Sequence, residues 1–146
     1  MTHYTKKSFM VTQSIGFLLT KARNVVSSEM DAALKHLDIS SQQMGIILSL
    51  GRGAANTPFE LAKLLDVDTG AMTRILDKLE SRKLLKRNRS DEDRRVVCLE
   101  LTALGHALTE EITEIAPQVL NTHLREFTKA EFAELKRLLA KFIGQE

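Results

Sequence analysis

Cysteine is nearly absent from this chain: Cys98 is the single one among 146 residues. An internal disulfide is therefore excluded, as is a zinc site built from several cysteines of one chain, and this usage suits a reducing cytoplasm. Long apolar runs are missing too. No stretch approaches the roughly 20 continuous apolar residues of a membrane span, so no membrane association is expected. The opening MTHYTKKSFMVTQSIGFLL carries two lysines, but Thr12, Gln13 and Ser14 break its apolar run and no small-residue cleavage site follows. It does not read as a signal peptide. There is no internal repeat and no low-complexity tract. Nothing in the chain is arranged for catalysis either: no nucleophile with a base, no carboxylate pair and no glycine-rich phosphate loop stands at a workable spacing. The four histidines, His3, His36, His106 and His123, are scattered without ligand spacing. The expectation is a non-enzyme with no cofactor and no metal.

A strong net charge is also lacking. Lysine plus arginine number 21 against 19 acidic residues, and a total of +2 does not by itself point to nucleic acid. The distribution is more informative. Residues 74–95 hold nine basic side chains and five acidic ones, so this window is +4 and the rest of the chain is −2. The hydrophobic content of 43% is ample for the core of a single folding unit.

What is present is helical periodicity. Between residues 14 and 37 the apolar positions Ile15, Leu18, Leu19, Ala22, Val25, Val26, Met30, Ala33, Leu34 and Leu37 follow the three-then-four spacing of one helical face. Such a helix spans roughly 36 Å, more than a small module needs for its own core, and implies a partner surface. Ser40 with Gln43 forms a capping box, with Ile39 and Met44 spaced as a hydrophobic staple, and opens a second helix that should stop near Gly51 and Gly53. Thr57-Pro58-Phe59-Glu60 reads as another box with proline at the first helical position, opening a short helix through Leu65. Asp66-Val67-Asp68 is a tight turn. Asp68 is placed to cap the next helix, whose inner stripe is Met72, Ile75, Leu76 and Leu79. Two short helices joined this way make a helix-turn-helix.

After Lys83 the period becomes alternating. Leu84 and Leu85 open one arm of a hairpin, residues 96–101 form the other, and the polar stretch 88–95 is its tip. Two further helices are expected from Thr102 to about Glu126 and from Thr128 to Phe142. The last has a Thr128/Glu131 box and a Phe127/Phe132 staple, and Pro117 should kink or divide the fifth. The fold class is thus mainly α with a small β-hairpin wing. Helical regions 1–38 and 103–146, suited to dimerisation, flank a winged helix-turn-helix region, 39–102.

With the stripe turned inward, segment 69–82 presents Gly70, Thr73, Arg74, Asp77, Lys78 and Ser81 outward. Such a helix fits the major groove, where arginine can donate two bonds to guanine and threonine can bond a base edge or touch a thymine methyl. Thr69, Gly70 and Ala71 are small enough to permit close approach, and the helix N-terminus favours phosphate. On this stretch alone a solvated helix face reads equally well. The hairpin alters the balance. Arg89, Arg94 and Arg95 stand beside Asp91, Glu92 and Asp93, which suggests an internal Asp–Arg pair shaping the tip while another arginine enters a narrow minor groove.

From Phe59 onward, FELAKLLDVDTGAMTRILDKLESRKLLKRNRSDEDRRVVCLELTALG resembles the MarR family of bacterial regulators. The recognition pattern is V-x-x-x-x-M-T-R-x-x-x-x-L-E and the more specific wing pattern is D-R-R-x-x-x-L-x-L-T-x-x-G. The order of elements agrees over nearly the whole chain. The resemblance implies a homodimer built from the first and last helices, with double-stranded DNA carrying a pseudo-palindromic operator as partner. It also implies that Asp93 and Arg94 are the family's wing pair. A repressor released by a small-molecule effector is the function it suggests; the family often senses small aromatic acids between the dimerisation helices and the winged unit, and Arg23 and His36 could face such a pocket, although a solvated or core role is the commoner one for each. A winged helix serving only as a protein-docking platform is the competing reading. Redox-sensing relatives carry their cysteine in the first helix, so Cys98 reads as packing. One departure stands out: Lys83 occupies a position where the family commonly has glycine, and it must either adopt a left-handed turn or change that turn.

Overall fold

Ser14 ends the N-terminal lead-in and starts the first long helix by accepting a bond from Phe17 N at 3.2 Å. In the computed structural model, which describes residues 1–145, this helix is α1 (Ile15–Leu34), extended by a 3-10 turn (Lys35–Leu37). Residue 146, the end of the expected 103–146 region, lies outside the described residues. Six further elements of the expected kind follow, four helices and two strands. They are α2 (Ser41–Gly51), α3 (Pro58–Leu64), α4 (Thr69–Ser81), β1 (Leu85–Arg89), β2 (Val97–Leu101) and α5 (Ala103–Leu124), before a last helix, α6 (Lys129–Phe142).

The caps act largely where the sequence places them. Ser40 and Gln43 form a complete box, as do Thr128 and Glu131, and Asp68 accepts from Ala71 N at 3.0 Å. The box at α3 is only half formed. Thr57 accepts from Glu60 N, but the Glu60 carboxylate reaches one residue further, to Asn56 N at 3.0 Å. Asn56 O in turn accepts from Leu99 N at 2.7 Å, which ties the entry of α3 to β2.

The hairpin is antiparallel, with Leu85 opposite Leu101, Asn88 opposite Cys98 and Arg89 opposite Val97. The expected tip of 88–95 is therefore too long. Asn88 and Arg89 remain in the ladder because Asn88 bonds across it to Glu100 at 3.0 Å, and the turn itself covers 90–96. Pro117 does not divide α5, which runs on as one helix. Lys83 keeps the left-handed turn, with φ of 60°, at the cost that a Cβ imposes there.

The core lies where the second half of α1, α2, α3, α4, the hairpin and the first half of α5 meet. Leu34, Ile46, Ile47, Leu61, Met72, Leu76, Leu79, Leu85 and Ile112 are its fully buried side chains. One approach there requires glycine. A Cβ on Gly105 would stand 2.1 Å from Leu84 O, so α5 can press against the entry to the wing only without a side chain. Gly105 is the terminal glycine of the wing pattern. By contrast, α6 buries none of its residues, and Phe9, Met10, Ile15 and Leu18 near the start, with Leu138, Leu139, Phe142 and Ile143 near the end, remain exposed.

Candidate nucleic-acid interface

Asp68 sets the start of α4 and the buried Met72, Leu76 and Leu79 set its rotation, so the outer face follows from the inner one. Thr69, Gly70, Thr73, Arg74 and Lys78 are all exposed, whereas Ala71 is half-buried at the edge of that face. Thr73 donates its hydroxyl to Thr69 O at 2.9 Å, and its oxygen keeps lone pairs with which to accept. The Arg74 guanidinium lies back along the helix start, 3.8 Å from where a Cβ on Gly70 would be, and that same Cβ would come within 3.2 Å of the Asp68 capping carboxylate. Glycine at 70 thus leaves the cap and the arginine side by side. Neither Arg74 nor Lys78 has an ion-pair partner among the described residues.

The acidic groups beside this face are occupied. Arg87, on β1, donates to Asp77 at 2.8 Å and to Glu80 at 3.0 Å, one carboxylate per arm of its guanidinium. Arg87 is a residue beside this face that the motifs in the chain do not single out. A signal is nonetheless there: Arg87 follows the buried Leu85 by two, the spacing of one strand face, and Asp77 and Glu80 are three apart on a helix flank. The clamp offsets part of the negative charge on this flank and ties the wing to α4. On the other side of the hairpin Lys86 pairs with its register partner Glu100 at 3.1 Å.

At the tip, Ser90 N donates to Val96 O and Val96 N to Asp93 O, both at 2.9 Å. Arg89 donates to Arg94 O at 2.8 Å. Asp93 accepts from the backbone N of Arg95 at 3.0 Å and from its Nε at 3.2 Å. The internal Asp–Arg pair therefore exists, but it joins Asp93 to Arg95 rather than to Arg94. Two residues along an extended turn bring Nε within reach of the carboxylate that already holds its own backbone. Arg94, whose carbonyl is used and whose side chain has no partner among the described residues, is the projecting cation.

The remaining candidates are dispersed. Arg23 lines a cavity of about 330 Å³ together with Val26, Met30, Met44, Leu65 and Val67, between α1, α2 and the turn after α3; His36 is exposed and is not part of its wall. Cys98 is half-buried on β2. His123 bonds Glu29 at 2.6 Å, joining α5 to α1. His3 and His106 are exposed, and no three metal-ligating side chains converge among the described residues.

The profile of the MarR family matches residues 39–97. The multiple antibiotic resistance protein MarR of Escherichia coli is 37% identical over 111 residues, covering 75% of this chain and 77% of that one. The chain belongs to the MarR family. A crystal structure of a MarR cysteine-to-serine mutant from E. coli complexed with operator DNA superposes with a TM-score of 0.82 at 33% identity, over 92% of this chain and 99% of that one. NadR in complex with 4-hydroxyphenylacetate gives a TM-score of 0.78 at 29% identity over the whole of both chains. The MarR fold is thus shared over nearly the whole chain. No helix among the described residues is long and apolar enough to cross a membrane.

Proposed function

We propose that this MarR-family protein is a dimeric, sequence-specific transcriptional repressor that leaves its operator when a small aromatic acid binds. The observation carrying this reading is the sorting of charge around α4: Asp77 and Glu80 are both paired to Arg87, while Arg74 and Lys78 on the outer face and Arg94 on the wing have no ion-pair partner among the described residues. Unpaired cations at a small-residue helix face and on a hairpin tip are what phosphate and guanine edges require. Arg74 reads a base. Lys78, Thr69, Thr73 and the open backbone at Gly70 seat the helix, and Ala71 contributes only its small size. Arg94 enters the minor groove, and Arg89 and Arg95, occupied in shaping the turn with Asp93, face phosphates.

Regions 1–38 and 103–146 form the dimer through their exposed apolar side chains, and 39–102 is the reading unit. Two copies then carry their α4 helices about 34 Å apart, one turn of a pseudo-palindromic duplex. The cavity beside Arg23 has apolar wall enough to take a ring, and Arg23 offers a cation for a carboxylate in a wall that also holds Asp66. Its occupant acts only by binding one arrangement of the two heads better than the other. The protein works in the cytoplasm, where its DNA is, and is not an enzyme. Footprinting on DNA flanking its own gene, with and without 4-hydroxyphenylacetate, tests the reading. A protected pseudo-palindrome that weakens with salt and is lost with the acid is expected. Salt-insensitive or absent protection would leave a protein-docking role instead.

A further inference from the structure

Arg82, the residue just after α4, turns its side chain back toward the end of α1. Its guanidinium reaches back 44 residues in sequence to the end of the first helix, where one arm donates to Asp38 O and the other to Leu37 O at 3.3 Å. The Asp38 carboxylate stands 3.8 Å away. These carbonyls close the 3-10 turn that extends α1, where helical bonding has stopped, so they lack helical partners and carry the negative end of the helix dipole. A guanidinium suits them because its fork is planar and always charged.

Among the described residues no other side-chain hydrogen bond joins the end of α4 to the end of α1, and the two otherwise meet through the shared apolar core. α4 packs chiefly on α3 and β1, its neighbours in the reading unit. Between the end of α1, the start of α2 and the end of α4 lies an open cavity of about 430 Å³. Both ends of the tie are left-handed turns at residues with a side chain, Asp38 at φ 53° and, next to Arg82, Lys83 at φ 60°. Such turns persist only where their surroundings hold them.

We infer that Arg82 is a positioning residue for operator recognition: it fixes the reading helix against the dimerisation helix, and so sets the separation of the two heads. The inference rests on the operator reading proposed above. Arg82 touches no DNA in this role, so its signature is sensitivity to half-site spacing rather than to base identity.

The test uses full-length dimer. Wild-type protein first selects a duplex from random sequence, and that duplex is remade with its half-sites one base pair closer and one farther apart. Each change displaces a half-site by about 3.4 Å and rotates it, so wild type is expected to discriminate strongly among the three. Arg82→Ala is expected to lose about tenfold on the optimal duplex, the scale of a charged hydrogen bond removed, and much less on the other two. The spacing profile flattens while base preference within a half-site is retained. Equal losses on all three duplexes, or an unchanged profile, would overturn the inference. Arg82→Lys keeps the charge but cannot fork to two carbonyls; it is expected to give an intermediate profile, and it carries the same comparison if the alanine variant no longer melts cooperatively. Failure of wild type to select any duplex would overturn the operator reading, and the positioning role with it.

Discussion

Arg94 stands on a turn whose other cations are engaged: Arg95 with the Asp93 carboxylate and Arg89 with the Arg94 carbonyl. Its substitution should therefore cost phosphate or minor-groove attraction without loosening the turn. Arg94→Ala is expected to weaken binding to every duplex and to lower the slope of log affinity against log salt by about one for each phosphate no longer neutralised, as titrations at several salt concentrations would show. An operator affinity unchanged at moderate salt would remove Arg94 from the interface. Arg74 differs in kind, because it lies on the helix face and not on the rim. Arg74→Ala should relax sequence preference by roughly 1 to 3 kcal/mol at one position in each half-site, measured against a set of singly substituted duplexes. A uniform loss over all of them would make Arg74 a phosphate-binding residue. Residue types alone could not separate these arginines. All are basic and near one another in sequence, and only hydrogen-bond geometry tells which carbonyl or carboxylate already holds each.

Between elements, the joint of wing to recognition helix rests on Arg87. Its pairs with Asp77 and Glu80 are partly exposed, so each is worth at most about 1 kcal/mol. Their effect on binding exceeds their effect on stability, because Arg87→Ala also frees two negative charges beside the DNA. The variant is expected to melt within a few degrees of wild type while binding its operator at least about tenfold more weakly, with faster amide exchange in β1 and β2. A large fall in melting temperature with operator affinity intact would show Arg87 to be a stability residue only. At the start of α6, hydrogen bonds from the Thr128 backbone and hydroxyl hold the Glu131 carboxyl below its ordinary value of 4.5. A group whose pKa is lowered by folding contributes fully above its unfolded value and loses that contribution as pH falls through the folded one. The first turn of α6 should therefore fray only below pH 4.5, seen as accelerated amide exchange relative to unstructured reference peptides. Glu131→Ala should fray at all pH values. These caps are legible in the chain because a capping box is a local pattern of four residues. The α3 box is legible only in half: its threonine caps as expected, but the rotamer that sends Glu60 to Asn56 answers to β2, which lies some forty residues on.

At the scale of the molecule, the reading proposed above makes the exposed apolar side chains of both terminal regions the surface that a second copy covers. Phe142, 62% exposed in the single subunit, has no other evident use. Phe142→Glu is expected to shift sedimentation toward the monomer and to make the melting temperature depend more steeply on concentration, because dissociation then competes with unfolding. Binding to a full operator should fall much more than binding to an isolated half-site. An unchanged sedimentation profile would place the dimer interface elsewhere on these helices.

The order of elements, the starts of the helices, the inner stripe of α4 and hence its outer face are all written in the chain. Each of these depends on residues within a few positions of one another, at the period of a helix or strand. The chain also marks the need for a left-handed turn at Lys83 and, through the wing pattern, the glycine at 105, although not the reason for it: the approach of α5 to Leu84 O exists only once the chain has folded back. Folding in three dimensions determines which acid pairs with which arginine, and with that which cations stay available for DNA. The recognition helix and the wing are readable as a pair from spacing. The clamp at Arg87 is marked in the chain only by its spacing from Leu85 and by the interval between its two acids; that they meet is decided by the fold, across a turn whose path no local period encodes.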